Sequence, residues 1–423
     1  MRKVFKFLVF FLCIFFAMTG AQASKAQSDL RLWVVADVHH LSPSLYVEGR
    51  RIQKLQDTGA GLEVFYSNER LEALAYQIEK AEQQPNALLV VGDLTLNGEY
   101  QSLVELQKAF AKIEALGTEV FVIPGNHDIN NGWASSFTDS RAVRDKQITP
   151  AEFKKLMNSF GYGEATYQDD ASLSYITQLM SDHWLVMLDS NIYHGEGNDQ
   201  PPVSKGELRD ETLIWLEDKL RTITEADVEV TVVLHHSSIP HFELMGQNFV
   251  LGNYDSLKNI LEKYQIPVTL SGHMHAQHIA QEGQVTDIAT GAFAVQPSVI
   301  GEVVIDKNQK SYQQIKLDMD AWSKETKTED PNLLNYDTYL KQVFTKANEK
   351  LDSNKDRKDE LKQLTQELNL AFFAGNISNI WEATVSAYED TFEKLISPYT
   401  ESMNRYLQVL IDQANYNHQE YRW

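Results

Sequence analysis

A single cysteine, Cys13, occurs among the 423 residues. One thiol builds neither a disulfide framework nor a thiolate metal site, so neither organises this chain. Positive charge is also scarce: 38 Lys and Arg face 59 Asp and Glu, for a formal net charge of −21. Polymeric nucleic acid and anionic lipid are held by basic footprints, which excludes both as the main partner. A small anionic substrate stays open, because bound cations would dominate the field it meets. Internal repeats and low-complexity tracts are absent, and 43% hydrophobic residues suffice for a sizeable core.

The one long apolar stretch is Phe7 to Met18, behind Arg2, Lys3 and Lys6 and ahead of Ala21-Gln22-Ala23. A basic start, a short apolar run and a small-x-small site spell a secretory signal over residues 1–23. The run is too short for a bilayer span, which takes about 20 residues. Export, cleavage before Ser24 and no integral span in the mature chain are the expectation. Cys13 leaves with the signal, and the mature chain is more acidic still.

From Leu30 to about Leu317, short apolar runs alternate with amphipathic stretches, the rhythm of a layered α/β domain. Leu30 to Ala36, Ala87 to Val91, Val120 to Ile123, Val230 to Leu234 and Ile266 to Leu270 read as buried strands. His183 to Leu188, Val285 to Ala289 and Gly301 to Ile305 extend the sheet content. Asn68 to Gln83 and Glu99 to Leu116 carry helical spacing, the second stopped by Gly117. Gly132 to Ala171 lacks periodicity and reads as a long insertion walling the substrate pocket. Asp318 to Pro331 is polar and reads as a linker. Beyond it, stripes at Leu333, Tyr336, Leu340, Phe344, Ala347 and Leu351, at Leu361, Leu364, Leu368 and Phe372, and at Tyr399, Met403, Tyr406, Leu407, Leu410 and Ala414 predict helices. A fourth helix falls over Asn379 to Ile396. Such aromatic stripes are packing faces before they are cofactor boxes. The expected order is a signal over 1–23, an α/β domain over 24–317, a linker over 318–331 and a helical domain over 332–423.

Each of five strands is followed by a cluster of oxygen and nitrogen ligands: Asp37-Val38-His39, Gly92-Asp93, Gly125-Asn126-His127-Asp128, His235-His236 and Gly272-His273-Met274-His275. C-terminal strand ends in an α/β sheet open on a common crevice. Asp37 and His39, two apart on an extended strand end, would face the same side and share a metal. Asp93 at the mouth of a buried strand needs a partner, and a carboxylate bridging two cations satisfies both oxygens. Asn126 offers a neutral amide oxygen. His127 stands beside the metals, with Asp128 expected to fix its tautomer and keep it protonated for donation to a departing alkoxide. Alternation lets only one of His235 and His236 reach the site, and leaves open which. His273 and His275 can both face it, with Gly272 allowing close backbone approach. One metal then takes Asp37, His39, Asp93 and His275; the other takes Asp93, Asn126, His273 and one of the His235/His236 pair. His40, His194, His236, His241 and His278 lie near the clusters as possible substrate contacts, although packing is the default for each. His183 and His418 read as structural or exposed.

These five motifs, in this order, resemble the calcineurin-like metallophosphoesterase family from Leu30 to Ile305. The resemblance implies a four-layer sandwich of two mixed β-sheets flanked by helices, with the helical domain appended. It also implies a dinuclear site, and by motif position it assigns His235 as ligand. The stretch Gly92 to Glu99 (GDLTLNGE) is similar to the branch holding bacterial cyclic nucleotide phosphodiesterases, and export with a helical extension resembles an exported subgroup of it. Ser237 departs from the proline-containing turn of many relatives, which bears on pocket shape and not on the metals. The expected chemistry is in-line attack on phosphorus by a metal-bridging hydroxide, with His127 as proton donor. Two divalent ions fit the oxygen and nitrogen ligands: Mn, Fe or Zn.

The leading expectation is a secreted phosphodiesterase for a small substrate, a cyclic nucleotide before others. A phosphomonoesterase or nucleotidase with the same metals is the second enzyme reading. A cell-surface binding protein with a vestigial site is the third, and the intact ligand set speaks against it. Neither the oligomeric state nor the role of the helical domain can be read from these residues.

Overall fold

The computed structural model describes residues 29–138, 140–242, 246, 248–348, 359–388 and 409–423. The expected signal over residues 1–23 lies outside them. In chain order the strands are β1 (Leu30–Val35), β2 (Ala87–Val91), β3 (Glu119–Ile123), β4 (Ser135–Phe137), β5 (Ala142–Arg144), β6 (Tyr167–Gln168), β7 (Tyr175–Met180), β8 (His183–Leu188), β9 (Glu229–Leu234), β10 (Val268–Ser271), β11 (His278–Glu282), β12 (Val285–Ala289), β13 (Val299–Ile305), β14 (Lys310–Lys316) and β15 (Glu420–Arg422). The helices are α1 (Arg50–Thr58), α2 (Ser67–Lys80), α3 (Tyr100–Glu114), α4 (Pro150–Leu156), α5 (Asp210–Ile223), α6 (Tyr254–Lys263), α7 (Met319–Thr326), α8 (Tyr336–Asn348), α9 (Asp359–Phe373) and α10 (Ile377–Ala387).

One mixed sheet runs β15-β14-β13-β1-β2-β3 and the other β11-β12-β10-β9-β8-β7-β6. In the first, β1, β2 and β3 are parallel, with Val34 opposite Leu89 and Leu89 opposite Phe121. In the second, β8, β9, β10 and β12 are parallel. Side chains alternate between faces along a strand, and the packing follows that period. Leu185, Met187 and Val233 join the core shared with the first sheet. Their neighbours Val186, Leu188, Val232 and Leu234 pack instead with Leu216, Leu220, Leu257 and Leu261 of α5 and α6. Against the first sheet, α2 and α3 bury Leu71, Leu74, Ile78, Leu103, Leu106, Phe110 and Ile113. The layers are therefore helix, sheet, sheet, helix.

Three stretches differ from expectation. Gly132 to Ala171 is not irregular throughout: it holds the β4–β5 hairpin and α4, whose start is closed by a capping box between Thr149 and Glu152. The expected linker contains α7, capped by the Asp318 carboxylate at 2.9 Å from the Ala321 N–H and burying Met319 and Trp322. And the chain returns from the helical region to the first sheet, where β15 pairs with β14. The stripe Leu333, Tyr336, Leu340 and Phe344 is buried. Its first three members join the main core, and Phe344 packs on Ala292 and Val295. Leu364 and Leu368 of α9 pack with Leu410. Leu351, Phe392, Leu395, Tyr399, Met403, Tyr406 and Leu407 lie outside the described residues. Among the described residues no helix is long and apolar enough to cross a membrane.

Candidate metal centre

All five segments that carry the candidate ligands leave the C-terminal ends of parallel strands: β1, β2, β3, β9 and β10. The backbone there is not extended. Asp37 (φ 54°), His39 (φ 45°), Asp93 (φ 48°), His273 (φ 66°) and His275 (φ 60°) are left-handed. The expected extended strand end is thus corrected: Asp37 and His39 converge through turns, not through the period of a strand. Left-handed backbone costs a non-glycine residue about 1–3 kcal/mol, so surrounding structure has to impose it. Here Asp37 N–H donates to Gly92 O at 3.1 Å, His39 N–H to Asp93 O at 2.9 Å, and His273 N–H to the Asp37 carboxylate at 3.0 Å.

Two groups of donor atoms result. Asp37, His39, Asp93 and His275 form one; Asp93, His235 and His273 form the other, and within each the donors lie within 4.8 Å of one another. Asp93 belongs to both. Nε2 of His39 is 3.2 Å from Nε2 of His275 and 3.7 Å from Asp93 Oδ2. Nε2 of His235 is 3.4 Å from the same Asp93 oxygen and 3.1 Å from Asn126 Oδ1. Two ligands of one cation, each about 2.1 Å from it at tetrahedral or octahedral angles, stand about 3.0–3.4 Å apart. Three of the four spacings are those of coordination edges and the 3.7 Å one is slightly longer, so the cluster is able to hold divalent metal.

Backbone carbonyls set the tautomers. Nδ1 of His235 donates to Val91 O at 2.9 Å, leaving Nε2 for the centre. Nε2 of His273 faces the carbonyls of Ser204 and Asn248, both at 3.0 Å, leaving Nδ1. Such outer hydrogen bonds orient a ligating imidazole. Burial, opposed by the Asp93 carboxylate and aided by neighbouring histidines, lowers His273 to about 3 and His275 to about 4 and puts His39 well below the usual range. Neutral rings are the form a cation binds. His235 differs: burial opposes its charge, yet the Asp93 carboxylate holds it up to about 9. Burial would also raise Asp93, but His235, His127 and His39 outweigh it and hold that carboxyl well below its usual range. Asp37 is raised, chiefly by burial and further by the charge on Asp93.

His127 lies beside the first group, edge-on to the His39 ring at 5.0 Å. Its backbone N–H donates to Asp93 Oδ1 at 2.8 Å. The expected contact with Asp128 is not made, and this is a correction. Nδ1 of His127 instead faces Leu96 O at 2.9 Å and Asn97 Oδ1 at 3.0 Å. The buried Asp128 carboxylate accepts from Gly125 N, Leu94 N, Thr95 N and Thr95 Oγ1 at 2.7–3.0 Å. It clamps the Asp93 loop to the Asn126 loop. Burial first, then Asp93, raises it to about 6. Asn97 was missed as a partner of His127; its place in Gly92 to Glu99 was the only signal. Close approach explains two glycines: a Cβ on Gly125 would lie 2.1 Å from Asp93 N, and one on Gly272 2.7 Å from the Ala36 Cβ.

The histidines near the clusters mostly serve packing. His236 turns away, with Nδ1 2.8 Å from Ser190 Oγ. His40 is buried between Ser67 and Glu105. His241 and His278 meet at 2.9 Å, and Asp287 and Gln413 hold their outer nitrogens. His418 is buried against Gln413, not exposed. His183 bonds Thr231, and the partly exposed His194 faces Pro201 O at 3.1 Å.

Compared with known families, residues 30–277 match the family described as calcineurin-like phosphoesterase. The chain belongs to that family. Membership makes it a phosphoric ester hydrolase of the metallophosphoesterase type. Residues 318–417 match a second family, the C-terminal domain of cyclic nucleotide phosphodiesterase. A protein from Xenorhabdus bovienii named "Probable cyclic nucleotide phosphodiesterase" is 23% identical over 212 residues, covering 49% of this phosphoesterase and 68% of that protein. A cAMP/cGMP dual specificity phosphodiesterase from Mycobacterium tuberculosis is 25% identical over 212 residues, covering 49% of this chain and 54% of its own length. A dimetal phosphatase from Danio rerio shares the fold, with a TM-score of 0.50 and 12% identity over 68% of this chain and 96% of that one.

Proposed function

We propose that this phosphoesterase hydrolyses a small phosphodiester, a cyclic nucleotide before others, with two divalent cations and His127 as proton donor. The observation that carries the reading is Asp93, whose carboxylate belongs to both donor groups. Asp37, His39, Asp93 and His275 would hold one cation, and Asp93, Asn126, His235 and His273 the other. Bound there, Mn, Fe or Zn ions supply Lewis-acid activation of water and neutralise charge on the phosphoryl oxygens. His127 holds its Nδ1 proton on Leu96 O and Asn97 Oδ1. Its Nε2 is then the nitrogen that gives a proton to the departing ester oxygen. Asp128 acts through the loops it clamps, as a positioning residue.

The substrate class rests on the match of residues 318–417 and on the names of the relatives. The domain order stated above belongs to the proposal, as does export through residues 1–23; a mature N-terminus at Ser24 tests the latter. Purified protein supplied with Mn²⁺ is expected to cleave cyclic AMP or cyclic GMP, and an aryl phosphodiester faster than the matching monoester. No cleavage of any diester sinks the reading, and a faster monoester supports a phosphomonoesterase instead.

A further inference from the structure

We propose that a cleft between α1, the start of α2 and the segment leading into α8 binds a compact organic cation of the quaternary ammonium type. It is a second ligand site, independent of the phosphoester chemistry.

The cleft is half-open with a volume of ≈ 780 Å³, and Tyr46, Phe65, Tyr66 and Tyr339 are among the residues that line it. These rings stand in two near-perpendicular pairs: Tyr46 with Phe65 at 5.9 Å and 74°, and Tyr66 with Tyr339 at 5.4 Å and 86°. Perpendicular pairs make corners, and ring faces attract a cation within about 6 Å of the centroid. The charge lining the cleft has the matching sign. Glu48, Glu69 and Asp330 face it against one guanidinium, Arg50. The phenols register that field: burial first, then Glu63, Glu69 and Glu48 push Tyr46 up to about 12. An anion is therefore repelled, and an uncharged ligand forgoes both the carboxylates and the ring faces.

Five tyrosines outside the cleft carry a lysine over the ring. Lys80, Lys146, Lys219, Lys258 and Lys263 lie over the rings of Tyr76, Tyr100, Tyr167, Tyr254 and Tyr264 at 3.5–5.7 Å. Among the described residues, none of the four rings in the cleft carries a lysine or arginine. Arg50 lines the cleft without stacking on them. The place a lysine takes at those five tyrosines is left here to a ligand.

Calorimetric titration of the full chain with tetramethylammonium tests this, with tert-butanol as a neutral control of similar size. Saturable binding with a Kd in the range of about 1–10 mM is expected, and tert-butanol weaker by about tenfold or more. Tyr46→Leu and Glu69→Gln are each expected to weaken tetramethylammonium by about threefold or more, while Tyr46→Phe retains it. Both positions are partly exposed, so the fold tolerates these changes. Three results overturn the proposal: no saturation by about 100 mM, equal binding of the two probes, or unchanged affinity in both weakening variants.

Discussion

Nε2 of His39 and Nε2 of His275 face each other at 3.2 Å inside the protein. Lone pairs so placed repel unless a cation, proton or metal, lies with them. Burial lowers both rings, His275 to about 4, so a proton is poorly held near neutral pH and a metal is the better occupant.

His127 is expected to matter for protonation and not for metal loading. His127→Ala should lower kcat by about 10²–10⁴-fold on a substrate with an alkoxide leaving group. The loss should be much smaller on a nitrophenyl diester, whose leaving group needs no proton. Metal content should stay that of the parent. Equal losses on both substrates would remove His127 from the proton-donor role.

Gly125→Ala places a Cβ 2.1 Å from Asp93 N and 2.2 Å from Asp93 Oδ1. The loop has little room to retreat, because Gly125 N–H is held by Asp128 at 2.8 Å. A stability loss of about 1–3 kcal/mol in urea denaturation is expected, with weaker metal binding. Parental stability together with parental metal content would show that the two loops are not held together this closely.

Glu63 and Arg70 form an ion pair fully shielded from solvent. Tyr336 of α8 adds its hydroxyl to Arg70 at 3.2 Å, and Tyr339 reaches Glu63 at 3.2 Å. Removing one partner strands the other charge, so Arg70→Met should cost about 3–5 kcal/mol. A loss below about 1 kcal/mol, typical of a surface pair, would contradict this.

Glu99 is buried, and burial raises its carboxyl from 4.5 to about 8. Between those values the folded chain keeps a proton that the unfolded chain releases, so stability falls as pH rises. Below pH 4.5 both states are protonated, and above pH 8 both are ionised, so the effect levels off at each end. Glu99→Gln should abolish this component. The stability difference between variant and parent is expected to grow across that window in the variant's favour. A constant difference would contradict the buried, protonated carboxyl.

Much of the fold can be read from the chain where burial is continuous. In β2, Ala87–Val91, no residue is exposed, so the apolar run coincides with the strand. β14 and β15 are polar, partly exposed strands of seven and three residues. Their pairing is set by partners distant in sequence, and no local period announces it. The candidate ligands are legible because each cluster directly follows a buried strand. The left-handed backbone that turns them together is not, since it is imposed by long-range hydrogen bonds. Asp128 was misread for the same reason: next to His127 in sequence, it bonds Leu94 and Thr95, 33–34 residues away.

Counting bound metal in the purified protein and in Asp93→Ala by elemental analysis is the most direct test of a carboxylate shared by two cations. Two ions per parent chain are expected, falling below one when the shared ligand is removed, with the fold intact by circular dichroism. A parent that binds a single ion, or an Asp93→Ala protein that keeps two, would contradict it.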